Sequence, residues 1–159
     1  MVRVRRFSEA DAQPLAELMT EMAVFYGVPV DPDLMVADDV VEQAKRVSIV
    51  VAQDESRLLG FATFALLYPV AGLLAFTYVQ QIYVGRAARR LGVAQALMGE
   101  IARAAKAAGS TRLEWCTSRE NTAARTLYDG LGATGSDKVY YVLDGDALDQ
   151  LAERGPRGA

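Results

Sequence analysis

Apolar and polar side chains alternate from Val2 to Phe7, the period of a short strand. Ser8 then offers an N-cap, with Asp11 three residues later in a variant of the capping box. Leu15, Leu18, Met22 and Phe25 follow at helical spacing, and Gly27-Val28-Pro29 stops that helix. Asp31-Pro32 opens a second helix, since proline is tolerated at the first helical position. It carries Leu34, Ala37, Val41 and Ala44 on one side and ends near Arg46. Val47–Gln53 reads as an apolar strand, closed by the polar turn Asp54-Glu55-Ser56.

Residues 58–85 carry no charge. A run of that length matches a membrane span, which needs about 20 apolar residues. Pro69 and Gly72 interrupt it, Phe, Thr, Tyr, Val and Ile crowd both halves, and Gln80-Gln81 suit lipid badly. The pattern therefore predicts two buried strands joined by a turn. Ala94–Ala108 is an Ala-rich helix with Val93, Leu97, Ile101 and Ala105 in one stripe, ended by Gly109. Arg112–Thr117 reads as a strand with Leu113 and Trp115. Asn121–Gly130 is a helix turning Ala124, Leu127, Tyr128 and Leu131 inward. Lys138–Leu143 reads as a last strand, and Glu153–Ala159 as a frayed tail. The order is βααβββαβαβ, an α/β (α+β) fold in one domain over 1–145 with a tail over 146–159.

Composition narrows the chemistry. A chain of 159 residues fits one domain, and an apolar share of 52% with 23% charged excludes wholesale disorder. There is no His, so no Ser-His-Asp triad, no Cys-His pair and no imidazole proton shuttle. Cys116, the one cysteine, supports neither an internal disulfide nor a Cys-rich zinc site, and no metal is expected. A lone Cys and a charged start without a secretory core point to a reducing, cytoplasmic setting. A net charge of −3 argues against a nucleic-acid partner. On its predicted buried strand, Cys116 is expected to be inert.

The informative junction is Gln81-Ile82-Tyr83-Val84, then Gly85 to Arg90, then Leu91-Gly92-Val93-Ala94. A strand ends, a basic loop of small residues follows, and a helix begins. Helix N-termini expose unpaired N–H groups and the positive end of the dipole, so a phosphate or pyrophosphate is the physical expectation. Arg86, Arg89 and Arg90 add charge at the rim.

At this point the chain resembles the GNAT superfamily of N-acetyltransferases. Arg89-Arg90-Leu91-Gly92-Val93-Ala94 matches that superfamily's coenzyme A loop, [QR]-x-x-G-x-[GA]. Asn121, Ala124, Leu127, Tyr128, Leu131, Gly132 and Ala133 match its N-x-x-A-x-x-L-Y-x-x-L-G-[FA] helix. The resemblance implies a central, mixed and splayed sheet flanked by helices, with acetyl-CoA as co-substrate. Ile82, Tyr83 and Val84 would form the strand edge along the pantetheine arm, the Val84 amide facing the thioester oxygen. Backbone amides of Arg89, Arg90, Leu91, Gly92, Val93 and Ala94 would hold the pyrophosphate. Asn121 and Ala124 would contact the coenzyme, and Tyr128 would lie near its sulfur as general acid.

Thioester aminolysis needs a neutral amine, a stabilised oxyanion and a proton for the thiolate, which backbone amides and a Tyr phenol can supply without His. Tyr26-Gly27, the charge-free hairpin and Glu114-Trp115 look most like the diamine acetyltransferase branch. That branch usually has an acidic residue where this chain has Gln80-Gln81, leaving a water chain, Glu114 or Glu21 as the base. Glu21, Tyr26, Gln80 and Trp115 are the expected acceptor-side residues. Asp31, Asp33, Asp38, Asp39 and Glu42 would steer a cationic amine, although Asp near a helix start also suits the dipole. The expectation is an N-acetyltransferase acting on a small-molecule primary amine, polyamine or amino-acid-like, by direct attack in a ternary complex. The alternatives are a non-catalytic acyl-CoA-binding module and a protein or peptide amine as acceptor. A homodimer and no membrane partner complete the reading.

Overall fold

The computed structural model describes residues 1–30, 37–70 and 74–154. Five strands form one sheet: β1 (Arg3–Arg6), β2 (Ser48–Gln53), β3 (Leu58–Val70), β4 (Leu74–Val84) and β5 (Ser110–Glu114), in that spatial order. Neighbours are antiparallel except β4 and β5, which run parallel. A parallel pair needs a crossover, here helix α3 (Val93–Ala107). Helices α1 (Ala12–Phe25) and α2 (Ala37–Ala44) precede β2, and α4 (Thr122–Gly130) and α5 (Gly145–Glu153) follow β5.

The two-residue period of β2 divides the core. Ile49 and Val51 pack with Leu15, Leu18, Val40, Phe61 and Tyr83 beside α1 and α2. Val50 and Ala52 pack with Leu59, Phe64, Val79, Leu97 and Ile101 beside α3. Phe61, Leu97 and Ile101 are fully buried, worth roughly 1.5–3 kcal/mol each. The charge-free stretch forms the long β3–β4 pair, with register from Gly60↔Val84 to Val70↔Leu74. Gly72 lies outside the described residues. A Cβ on Gly60 would stand 2.5 Å from the Tyr83 carbonyl oxygen and 3.2 Å from the Val84 Cα, so β3 and β4 meet here at glycine distance. Among the described residues no helix is long and apolar enough to cross a membrane.

Asp11 fastens the first strand to the first helix. Its carboxylate accepts two bonds from Arg5, at 2.6 and 2.7 Å, and one each from the Ser8 N–H and hydroxyl, at 2.8 and 2.9 Å. The Arg5 bonds, aided by Ser8 and opposed by burial, hold its pKa down at about 2.

Some sequence expectations change and others fall outside the described residues. Asp31-Pro32 falls outside the described residues, and the described part of the second helix starts at Ala37. Residues 115–117 leave the strand that ends at Glu114, because β4 pairs with β5 no further than Tyr78↔Glu114. Lys138–Leu143 is not a strand, so the described order ends βαα where βαβ was expected. Strand propensity needs a pairing partner to become a strand. This segment touches β5 through Lys138 Nζ, 4.0 Å from Glu114, without joining the ladder. Gly145–Glu153 forms the exposed helix α5 within the stretch expected as a tail, and of the residues expected to fray, 155–159 lie outside the described residues.

Replacing Asp11 by Asn should lower unfolding free energy by about 2 kcal/mol, as loss of charge-assisted bonds does. The depressed pKa makes this contribution complete above the unfolded value near 3.8 and lost as pH falls through about 2. Urea midpoints should therefore fall over that acid interval in the parent and much less in Asp11→Asn.

Candidate active site

The sheet opens where β4 and β5 part. They pair at Ala75↔Ser110, Thr77↔Leu113 and Tyr78↔Glu114, and from Val79 to Val84 β4 has β3 on one side and no strand on the other. Gln80 is the extra residue at the register shift, since Thr63 pairs with Gln81 and Phe64 with Val79. Such a bulge bends its strand. A cavity of about 400 Å³ fills the wedge. Gln80, Gln81 and Ile82 of β4, Met22, Ala23 and Tyr26 from the α1 side, Trp115 and Cys116 past β5, and Asn121, Ala124 and Tyr128 at α4 line it.

Tyr128 stands 5.2 Å from the Trp115 ring, centroid to centroid. Burial raises its pKa, with Tyr26 and Cys116 adding to the shift, so the phenol keeps its proton at neutral pH. Asn121 caps α4, its side-chain oxygen accepting the Ala124 N–H at 3.2 Å. A larger groove of about 670 Å³ runs along α3 past Val2, Val4, Leu113 and Leu131. Its one ionisable lining residue is Arg103, so the smaller cavity, with its phenols, thiol and open strand edge, is the better place for chemistry.

At the far end of β4 the chain turns through Arg86–Ala88 and enters α3 by way of Arg90 and Gly92, whose φ angles are 65° and 76°. Arg90 is the one non-glycine residue among those described with positive φ. The space over Gly92 is empty to 4 Å, so this glycine answers a backbone need rather than a neighbour. The first-turn N–H groups of α3 lack intrahelical acceptors, and Arg86, Arg89 and Arg90 stand in the turn just before them. A phosphate fits this donor set.

Glu21 of α1 reaches this loop. One oxygen accepts the Tyr83 hydroxyl at 2.8 Å and the Arg86 N–H at 2.8 Å. The Arg86 bond holds its pKa low, burial opposes it, and the Tyr83 bond and the charges of Arg86 and Arg89 add to the lowering. Burial, then the Glu21 bond, raise the Tyr83 phenol. The Arg89 guanidinium lies 4.5 Å over the Phe25 ring and 6.0 Å from that of Tyr83.

The structure brings Tyr26, Gln80, Ile82, Trp115, Asn121, Ala124 and Tyr128 to one cavity. Arg89 to Ala94 form the loop and helix start, with Val93 buried in the core. The Tyr83 side chain turns to the opposite face, against Phe61. Glu21 and Glu114 do not line the cavity; Glu114 accepts from Arg112 Nε at 2.6 Å. Asp38 and Asp39 do not line it, Glu42 pairs with Lys45, and Asp31 and Asp33 lie outside the described residues. Cys116 is corrected: it is exposed, past the end of β5, with its sulfur 3.4 Å from the Tyr78 hydroxyl. That contact, then burial, push the Tyr78 phenol up to about 12. Met22, Ala23, Gln81 and Thr117 also line the cavity, and sequence reasoning misses them there. Met22 reads from its spacing as core, Gln81 figures only as the neighbour of Gln80 where an acidic residue is expected, and Ala23 and Thr117 carry no signal. Among the described residues no cluster of three or more His, Cys, Asp or Glu could hold a metal ion.

The sequence pattern of the acetyltransferase (GNAT) family matches residues 15–133. No curated protein matches the chain. An integron cassette protein from V. cholerae is 26% identical, with 96% of this chain and 98% of that one covered and a TM-score of 0.84. A ribosomal-protein-alanine N-acetyltransferase from Brucella melitensis biovar Abortus 2308 is also 26% identical, at 91% and 99% coverage and a TM-score of 0.78. The aminoglycoside N-acetyltransferase AAC(6')-Iy, solved with a CoA-linked bisubstrate analogue, shares the fold at 18% identity, 91% and 99% coverage and a TM-score of 0.75.

The position of Cys116 has a direct check. A disulfide reagent should titrate one thiol per native chain within the mixing time of a free cysteine; a thiol released only in denaturant would contradict the exposed placement.

Proposed function

The chain belongs to the acetyltransferase (GNAT) family and is a transferase of that type, and on that premise we propose that it acetylates a primary amine of a small molecule from acetyl-CoA, by direct attack in a ternary complex. The observation that carries this reading is the wedge: an unpaired β4 edge from Val79 to Val84, Tyr128 on the facing wall, and a basic helix N-terminus at its end.

Arg89, Arg90, Leu91, Gly92, Val93 and Ala94 would hold the coenzyme's pyrophosphate by backbone N–H groups. The open edge at Ile82–Val84, with Asn121 and Ala124 opposite, would take its arm. Bound acetyl-CoA supplies an activated thioester carbonyl. The Val84 N–H is the assigned oxyanion donor, placed where charge develops on the thioester oxygen. Tyr128 gives its proton to the departing thiolate while the amine nitrogen bonds to the carbonyl carbon, and the phenolate recovers a proton from solvent. Gln80 and Gln81 accept no proton, and Glu114 and Glu21 are engaged elsewhere. The amine proton therefore leaves through water in the open cavity.

Within this class a polyamine rests on the Tyr26-Gly27 and Glu114-Trp115 likeness. A peptide α-amine is the second reading, favoured by the likeness to the ribosomal-protein-alanine enzyme and by the exposed Tyr26 and Val28 at the cavity mouth. The exposed thiol of Cys116 suits a reducing, cytoplasmic compartment. A homodimer is supported by Val139, Tyr140, Tyr141, Val142 and Leu143, five consecutive apolar residues exposed beside the β5 edge.

Thiol release from acetyl-CoA with a panel of polyamine, amino-acid-like, aminoglycoside and alanine-initiated peptide amines tests the reading. Turnover should appear with at least one amine, and Tyr128→Phe should lower kcat by about 100-fold, the scale of one general acid. Coenzyme binding without turnover on any amine would leave a binding module instead. Sedimentation should give twice the chain mass for the parent and a monomer for Tyr141→Asp; a monomeric parent would exclude the dimer.

A further inference from the structure

Glu21 is the one carboxylate among the described residues that bonds the turn between β4 and α3. It reaches that turn from a helix 65 residues earlier in the chain, and the same oxygen takes the Tyr83 hydroxyl from the last residues of β4. The next residue, Met22, lines the cavity, and Phe25, one helical turn from Glu21, supports the Arg89 guanidinium. One turn of α1 therefore touches the acceptor cavity, the strand edge and the basic loop.

Its charge has the wrong sign for an ordinary anion site. Arg86 and Arg89 attract a phosphate, and a carboxylate beside them weakens that field. On charge alone, removing Glu21 should tighten the binding of a polyanion. Bonding argues the opposite, because without an acceptor the Arg86 N–H and the Tyr83 hydroxyl lose the partner that fixes the turn.

We propose that Glu21 is the positioning residue of the coenzyme loop, its carboxylate setting where Gly85–Gly92 stands relative to the open edge of β4. The inference rests on the acetyltransferase reading of that loop. Neither proton transfer nor ligand contact is assigned to Glu21. Its cost is a negative charge near the anion, and its effect is a fixed backbone at Arg86.

Calorimetry with CoA as the probe decides between the two signs. Glu21→Ala should bind about tenfold more weakly, the scale of one lost charge-assisted hydrogen bond. Glu21→Gln keeps an acceptor oxygen without the charge and should bind at least as tightly as the parent. In turnover, Glu21→Ala should raise the KM for acetyl-CoA by a larger factor than it lowers kcat. Equal or tighter CoA binding by Glu21→Ala overturns the proposal, and so does a Glu21→Gln variant as weak as Glu21→Ala. Should Glu21→Ala fail to fold, Tyr83→Phe decides: weaker CoA binding supports the proposal, and unchanged affinity overturns it. A parent chain that does not bind CoA overturns the acetyltransferase reading itself, whereas tight parental binding with an unaffected Glu21→Ala overturns only the role of Glu21.

Discussion

The structure depends on how few pairs β4 makes with β5. Parallel pairing requires both strands to stay about 4.8 Å apart, and here it holds at three register pairs before β4 bends at Gln80. The parting is tolerated because each strand is held from elsewhere. β4 keeps its ladder with β3 and buries Val79 and Tyr83 on opposite faces, while β5 is tied through α3. What remains is a row of backbone donors and acceptors facing a cavity in place of a strand. An unpaired edge inside a fold is normally a liability; beside a cavity it is a binding surface for anything extended and amide-bearing.

Charge is divided unevenly along the sequence. The total of −3 hides five acidic residues within positions 31–42 and six basic against one acidic within 86–112. Three of those six, Arg86, Arg89 and Arg90, lie in the turn before the head of α3, where the dipole has the same sign; the other three lie on the later part of α3 and on β5. The chain's lack of histidine is consistent with this arrangement. Acyl transfer from a thioester can be served by a phenol and backbone donors, and burial raises the pKa of the Tyr128 phenol further above its ordinary value.

Much of this architecture is legible in the amino-acid sequence. Alternation and helical spacing locate β1 to β4, α1, α3 and α4, because each buries one face and so writes its period into the chain. The loop at Arg89–Ala94 and the helix at Asn121–Gly130 are legible as motifs. Two parts are not. The end of β5 at Glu114 depends on the path of β4, which the composition of residues 112–117 cannot report, and Cys116 reads as buried for that reason. The contact of Glu21 with Tyr83 and Arg86 spans more than 60 positions, and a lone glutamate on a helix gives no sign of its partner. Lys138–Leu143 has the composition of a strand, yet strand formation belongs to the pair and not to the segment.

Gly60 gives the wedge a mechanical asymmetry. By letting β3 approach the Tyr83 carbonyl at glycine distance, it closes nine register pairs into one seam behind the open edge. The facing wall has three strand pairs at its root, and α4 beyond it buries no residue completely. Support is therefore unequal: the β3–β4 wall has many more strand pairs than the wall carrying Trp115 and Tyr128. The cleft thus has one wall laced to a neighbouring strand along its length and one anchored only at its root.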